Sequence, residues 1–303
     1  MSYIISKLQK GAKHPSMFFE KLFHLVLQSI VSDDKTYVKW DYWWGLGRFP
    51  DLESPQTYNE KLCWLKLHAK KAEYTKMVDK YDAKEYVKGI IGEEYIIPSY
   101  GVWDNFDDID FDSLPNEFVL KTTHDSGWVI ICKNKEYFDK EYAKKKVTKS
   151  YKNNLYWTHR EYPYKELKPR IIIEKLMVEE GGGGIKDYKF FCFGGKVKML
   201  FVATDRPFDT RFDFFDREFN HLPFKQGHPL ASKPIEKPQK FDKMIEIAEK
   251  LSQGIPHVRV DLYNINGKIY FGELTFFHFG GTVKFKPNEW DYKIGEWLKL
   301  PEL

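Results

Sequence analysis

An α+β fold is the class this 303-residue sequence predicts, on three observations. Helical and strand patterns are interleaved along the chain. Several strand patterns come in adjacent pairs joined by turn residues, Gly194-Gly195 and Asn266-Gly267, which is the signature of antiparallel hairpins. No glycine-rich run has the spacing of a P-loop or a Rossmann site; the four glycines 181–184 read as a turn.

Residues 17–31, MFFEKLFHLVLQSIV, read as a packed amphipathic helix, with a membrane-surface anchor as the alternative; Glu20, Lys21 and His24 interrupt a run too short to span a bilayer. Residues 57–89 read as helical, because Thr57 and Glu60 form a capping-box pattern, apolar residues follow at helical spacing, and Gly89 suits a helix end. EYIIPSYGVW is a strand with a proline turn, and IDFDSLPNEF a connector. FVLKTTHDSGWVIICK, residues 118–133, gives two strands about a polar loop. Residues 136–155 are lysine-rich and helical in pattern, and RIIIEKLM is a buried strand because its apolar run outweighs Glu174 and Lys175. Two strands meet at Gly194-Gly195, FDKMIEIAEKLSQG is a helix, and HVRVDLYNINGKIYFGELTFF forms the last hairpin.

Composition bounds the function. A content of 42% hydrophobic and 30% charged residues fits a folded domain rather than long disorder. The net charge of +4 comes with 23 basic and 23 acidic residues in positions 1–150, so no basic arm marks the chain as a nucleic-acid binder. Cys63, Cys132 and Cys192 lack zinc-ligand spacing and form no disulfide framework. With no secretory pattern at the N-terminus, a cytoplasmic location is expected, with peripheral association at the inner face of the membrane as a variant of it.

Four stretches carry residues that a plain fold does not need. Lys121 is followed by Thr122, Thr123, His124, Asp125, Ser126 and Gly127, a loop of small donors that reads as an anion site or as an ordinary polar turn. Glu174, Lys175 and Leu176 interrupt a buried strand and could meet a planar base, unless the strand is a kinked edge. Asp187 and Lys189 alternate onto one strand face, suiting a ribose hydroxyl and a phosphate. Asp261 and Glu273 sit in otherwise apolar strands, and folding at Asn266-Gly267 brings them together with Arg259 on the same face. Two adjacent carboxylates repel unless a cation intervenes, and hard oxygens of this kind suit Mg²⁺; the alternative is a surface salt-bridge cluster.

In that order, with Lys80 in VDKYDAK at its head, these stretches resemble the ATP-grasp fold and specifically the teichuronopeptide-biosynthesis (TupA-like) family of polysaccharide gene clusters. The resemblance runs from about residue 45 to 285 and is carried by SPQTYNEKLCWLKL, DKYDAKEYV, LPNEFVLKTTHDSGW, YKELKPRIIIEKLM, DYKFFCFGGKVK and RVDLYNINGKIYFGELTFF. It implies a helical N-terminal region (residues 1–112), a lid subdomain (113–176) and a C-terminal catalytic subdomain (177–303). It further implies that Lys80 and Lys121 contact ATP phosphates beneath a mobile loop containing Thr122, His124, Ser126 and Gly127. Glu174, Lys175 and Leu176 become the adenine hinge, and Asp187, with Lys189, the ribose and phosphate contacts. Arg259 steadies the transferred phosphoryl group, and Asp261 and Glu273 ligate Mg²⁺. Thr275 stands where many such ligases have Asn.

The implied reaction is ATP-dependent carboxylate–amine ligation, with a small amine or amino acid and a sugar carboxylate as partners. Tyr156, Trp157 and Tyr162 near Arg160 could stack on that sugar and pair with its carboxylate, or could merely pack the lid. The alternative is a glycosyltransferase using a nucleotide sugar, for which Asp108-x-Asp110 and Asp110-x-Asp112 supply the D-x-D pattern. A nucleotide-binding protein without turnover is a third reading, against which the full set of lysines and carboxylates argues.

Overall fold

The computed structural model describes residues 15–125, 129–180, 184–205 and 209–302. Ser126, Gly127 and three of the four consecutive glycines lie outside the described residues.

The N-terminal helices are α1 (Pro15–Ile30), α2 (Asp34–Leu46), α3 (Tyr58–His68), α4 (Glu73–Val78) and α5 (Asp82–Ile91). The Thr57/Glu60 capping box is present in full at the start of α3. The single helical stretch read over 57–89 is instead three helices. Asp79 is extended (φ −73°, ψ 126°), and its carboxylate accepts from the N–H groups of Tyr81 and Asp82, which opens a new helix rather than continuing the old one. Gly89 lies inside α5, which ends at Gly92 with φ 104°.

Four antiparallel strands form one sheet: β1 (Ser99–Trp103), β2 (Phe118–Thr122), β3 (Ile130–Cys132) and β4 (Ile171–Lys175), in the order β1-β4-β2-β3. Helices α6 (Lys140–Ser150) and α7 (Leu155–His159) occupy the lysine-rich segment between β3 and β4. One face of this sheet buries Phe118, Leu120, Cys132, Ile171 and Ile173 with Val147 of α6 and Ile109, Phe111 and Leu114 of the connector. Strand alternation then puts Lys121 and Glu174 on the other face. A boundary at residue 112 would leave β1 with the helical region, yet β1 pairs with β4, so this sheet draws on both sides of that boundary.

The second sheet contains β5 (Asp187–Phe193), β6 (Lys196–Thr204), β7 (Arg211–Asp216), β9 (His257–Ile265) and β10 (Lys268–Thr275), in the order β10-β9-β5-β6-β7, all antiparallel. A short pair, β8 (Lys225–Gln226) with β11 (Phe285–Lys286), and helix α9 (Glu289–Trp297) close the chain. Helix α8 (Phe241–Leu251) covers one face: Phe241 packs its ring on Phe190, and Met244, Ala248 and Leu251 are buried in the same cluster. Asn266 and Gly267 both have positive φ (52° and 73°), as the tight two-residue hairpin turn requires. The opposite face of this sheet carries the charged residues.

Candidate active site

On the five-stranded sheet, register brings the charges together. Lys189 pairs with Asp261, Asp261 with Glu273, and Arg259 with Thr275. A bulge between Phe271 and Glu273 sets the last two pairs. Gly272 makes the bulge possible: a Cβ there would lie 3.1 Å from the Asp261 carbonyl oxygen and 3.2 Å from the Tyr263 ring.

The guanidinium of Arg259 forks onto Asp261, with Nε to Oδ1 at 2.7 Å and Nη2 to Oδ2 at 2.8 Å. The same Nη2 reaches Glu273 Oε1 at 3.0 Å and Thr275 Oγ1 at 2.9 Å. Lys189 bonds Asp261, lies 2.8 Å from Asp187 Oδ2 and stands 3.8 Å from Glu273 Oε1. Arg259 and Lys189 thus separate three carboxylates that would otherwise repel. Asp261 is buried whereas the Glu273 side chain is 37% exposed, so Glu273 marks the open edge of the cluster.

The two ligand candidates titrate in opposite senses. Burial pushes the Asp261 carboxyl up, against the pull of Arg259 and Lys189. At Glu273 burial acts in the same direction, but Lys189, Arg259 and Lys80 outweigh it and hold the carboxyl well below its ordinary range. Arg259 Nη1 also donates to His278 Nδ1 at 2.8 Å, leaving the His278 Nε2–H for Gln226 Oε1 at 3.1 Å. Burial and the Arg259 charge keep His278 neutral, so it anchors the guanidinium without adding charge.

On the four-stranded sheet, the Glu174 carboxylate is buried between two lysines: Lys121 Nζ at 2.7 Å and Lys84. Lys84 also donates to Ile97 O and Ser99 Oγ, each at 2.7 Å. Burial alone would raise Glu174, yet the two lysines lower it to about 2. Lys80 feels charges from both sheets. Its backbone N–H bonds Thr123 O at 3.0 Å, its ammonium bonds the Asp125 carbonyl, and Glu273 and Lys121 are close enough for their charges to act on it. The break between α4 and α5 is what frees Lys80 to take this place. Burial lowers its pKa.

Most of the charged residues expected from sequence therefore converge, and several take a role other than the one expected. Glu174 is not free to face a base: β4 is a central strand, and its carboxylate holds Lys121 in place. The N–H of Lys175 is bonded to Pro98 O at 2.9 Å, while its side chain is exposed and Leu176 is half-buried. Thr122 and His124 are buried and tied to the end of α6, Thr122 Oγ1 to Ser150 Oγ at 2.7 Å and His124 Nε2 to Ser150 O at 3.1 Å, so they brace the loop instead of presenting donors.

Arg160, Tyr156 and Trp157 stand outside the charged cluster. Arg160 is 3% exposed, lies 4.1 Å over the Tyr37 ring and pairs with Asp34 at 3.4 Å, and Tyr156 donates to the same Asp34 at 2.8 Å. These contacts pack α7 against α2, so Arg160 and Tyr156 are buried and already paired and do not present themselves to a sugar, whereas Trp157 is exposed. Asp108, Asp110 and Asp112 lie on an exposed connector, where Asp110 accepts from its own turn (Asp112 N, 3.1 Å). Three contributors escaped the sequence reading: Lys84, His278 and Gln226. Lys84 left one signal, a lysine one helical turn after Lys80; His278 follows directly on GELTFF.

As a donor set, Asp187, Asp261, Glu273 and Thr275 offer only hard oxygens, which suit Mg²⁺. The lysines at 80 and 121 suit phosphate oxygens.

A sequence model of the TupA-like ATP-grasp family matches residues 60–299. No curated protein sequence matches the chain. Among solved structures, D-alanine–D-alanine ligase from Bacillus anthracis complexed with ATP is 15% identical with a TM-score of 0.38, over 66% of this chain and 53% of that one. N5-carboxyaminoimidazole synthetase from Staphylococcus aureus complexed with ADP is 15% identical, TM-score 0.39, over 65% and 43%. The ATP-grasp ligase PsnB complexed with minimal precursor, Mg and ADP is 11% identical, TM-score 0.37, over 67% and 52%. The chain spans about half the length of these structures.

Proposed function

We propose, from the premise that this chain belongs to the TupA-like ATP-grasp family, that it is an ATP-dependent carboxylate–amine ligase. The observation that carries the reading is the apposition of two charge sets. Arg259, Lys189, Asp261 and Glu273 occupy one sheet, Lys121 with Glu174 the other, and Lys80 lies within electrostatic reach of both.

Lys80 and Lys121 would bind the outer phosphate oxygens of ATP, with Glu174 and Lys84 fixing where the Lys121 ammonium points. Asp261 and Glu273 would hold Mg²⁺, which supplies neutralisation of the phosphate charge when bound. A substrate carboxylate oxygen attacks the γ-phosphorus; the bond to the β–γ bridging oxygen breaks and ADP leaves. An amine nitrogen then attacks the acyl carbon of the resulting acyl phosphate, the C–O bond to phosphate breaks, and the amine proton is released. Arg259 would stabilise the negative charge that develops in the first step, and His278 and Thr275 hold its guanidinium in position. No nucleophilic side chain is required.

The carboxylate acceptor is a uronic acid of a capsular or cell-wall glycan or its precursor, and the nucleophile an amino acid or other small amine; this rests on the family's association with polysaccharide gene clusters. Among the described residues no helix is long and apolar enough to cross a membrane. The test is incubation with ATP, Mg²⁺ and a panel of uronic acid glycosides and amines. The expected products are ADP, phosphate and a new amide mass. AMP and pyrophosphate, or thermal stabilisation by nucleotide sugars and none by ATP, would overturn the assignment.

A further inference from the structure

A second cluster of ligand-bearing side chains lies outside the charged sheets, where α1, α2 and α7 meet. His24, Asp41 and His159 each offer one ligand atom, and these atoms lie within 4.8 Å of one another. His159 Nδ1 is 3.0 Å from Asp41 Oδ2, and His24 Nε2 is 3.7 Å from Asp41 Oδ1. The side chains are 7%, 2% and 21% exposed for His24, Asp41 and His159. None of the three has a part in the proposed ligation.

The orientation of His24 is the informative feature. Tyr37 Oη has a single hydrogen and lies 2.9 Å from Trp157 O and 3.1 Å from Thr158 O, so its proton goes to a carbonyl. Towards His24 Nδ1, 3.2 Å away, the hydroxyl must then accept, which makes Nδ1 the N–H of that ring. Nε2 is thereby aimed at the Asp41 carboxylate across a gap longer than a hydrogen bond. An imidazole whose outer N–H is held by a protein oxygen while its other nitrogen faces a carboxylate and a second imidazole is oriented as a metal ligand.

Beside this cluster is a cleft of about 380 Å³, lined by His24 and Asp41 together with Glu20, Trp44 and Thr282. The cleft leaves room for a water molecule as a further ligand. The charges nearby are Glu20 and the buried ammonium of Lys66, whose Nζ donates to Gly280 O at 2.6 Å, while burial pushes the neighbouring Glu161 carboxyl up to about 7. With Asp41 the carboxylates outnumber the ammonium. Two imidazole nitrogens and one carboxylate oxygen are a borderline-soft set with three protein ligands, the composition of an open zinc site.

The geometry points to a Zn²⁺ site formed by His24, Asp41 and His159, joining the N-terminal helices to α7. Such an ion would staple α1, whose Phe19, Leu22, Leu25 and Val26 are exposed and whose buried side chains include His24 and Leu27. The competing account is a hydrogen-bonded packing triad with no affinity for metal.

The full chain, stripped with chelator and dialysed, is titrated with Zn²⁺ and separately with Co²⁺, and metal per chain is measured by plasma mass spectrometry. We expect stoichiometric Zn²⁺, an intense visible d–d spectrum of four-coordinate Co²⁺, and a rise in Tm with Zn²⁺. Asp261→Asn should keep all three, which separates this site from the Mg²⁺ carboxylates and lets it fail or stand independently of the ligase reading. His24→Asn and His159→Asn should lose the Co²⁺ spectrum. Tyr37→Phe keeps the three ligands and should weaken Zn²⁺ binding roughly 10- to 100-fold, the usual loss when an outer partner of a metal-bound histidine is removed. Absence of stoichiometric Zn²⁺ in the wild-type chain, a weak octahedral Co²⁺ spectrum, or equal binding by wild type and the histidine variants would each overturn the site.

Discussion

The two sheets handle buried charge in opposite ways. The four-stranded sheet buries one carboxylate, Glu174, against two ammonium groups, Lys84 and Lys121, an excess of positive charge. The five-stranded sheet sets three carboxylates, Asp187, Asp261 and Glu273, against two cations, Lys189 and Arg259, an excess of negative charge. One face is thus matched to an anion and the other to a cation. A magnesium–polyphosphate ligand has both, and the Lys80 ammonium feels the charges of Glu273 and Lys121 alike. Neither imbalance would be worth its desolvation cost for stability alone, since a buried ion pair is often replaceable by apolar side chains without loss.

The largest effect should come from the negative sheet. Asp261→Ala leaves Arg259 and Lys189 facing each other without the carboxylate both contact, and should lower unfolding free energy by about 3–5 kcal/mol as well as abolish turnover. Glu273→Gln, at the exposed edge, should cut turnover by roughly 100-fold or more while moving stability by less than about 1 kcal/mol. Urea denaturation and ADP release measure the two. If both variants keep near wild-type activity, the carboxylates do not hold the metal.

On the positive sheet the comparison becomes one of pH. Glu174 titrates near 2 in the folded chain against 4.5 for the ordinary group. A depressed acid stabilises the fold above its unfolded pKa and loses that contribution as pH falls through the folded one. The wild-type chain should therefore shed about 3 kcal/mol between roughly pH 4.5 and 2 from this group. Glu174→Gln should be less stable at neutral pH, with that part of the acid limb flattened. An acid limb identical in the variant would show that Lys84 and Lys121 do not act on Glu174 as their distances imply. Changing Glu174 and Lys84 to Met together should restore much of the stability lost in Glu174→Gln.

Lys121→Met tests the same sheet from its ligand side. Lys84 still neutralises Glu174, so the fold should persist while the KM for ATP rises roughly 10- to 100-fold, the loss of one charge-assisted hydrogen bond. An unchanged KM with a lower Tm would assign Lys121 to structure alone. The smallest effect is expected at Thr275→Ala, which removes one of several acceptors from Arg259 and should cost about 1 kcal/mol of stability with a modest fall in kcat.

Local chemistry written in the sequence determined a good deal: the α+β class, the capping box at Thr57, the turn at Asn266-Gly267, and the pairing of Asp261 with Glu273 beside Arg259. Each depends on residues close in sequence or on strand alternation, and so leaves a periodic trace. Only the tertiary structure decided the break at Asp79 that positions Lys80, because helical propensity does not register a carboxylate that caps the next helix and pairs with Arg170. The fate of Glu174 was likewise invisible, since its partner Lys84 lies 90 positions earlier in the chain. So was that of Arg160, which is neutralised by Asp34 from a different helix. Burial and charge pairing across distant segments are properties of the packed whole, and a buried ion's role is set by the partner that packing brings to it.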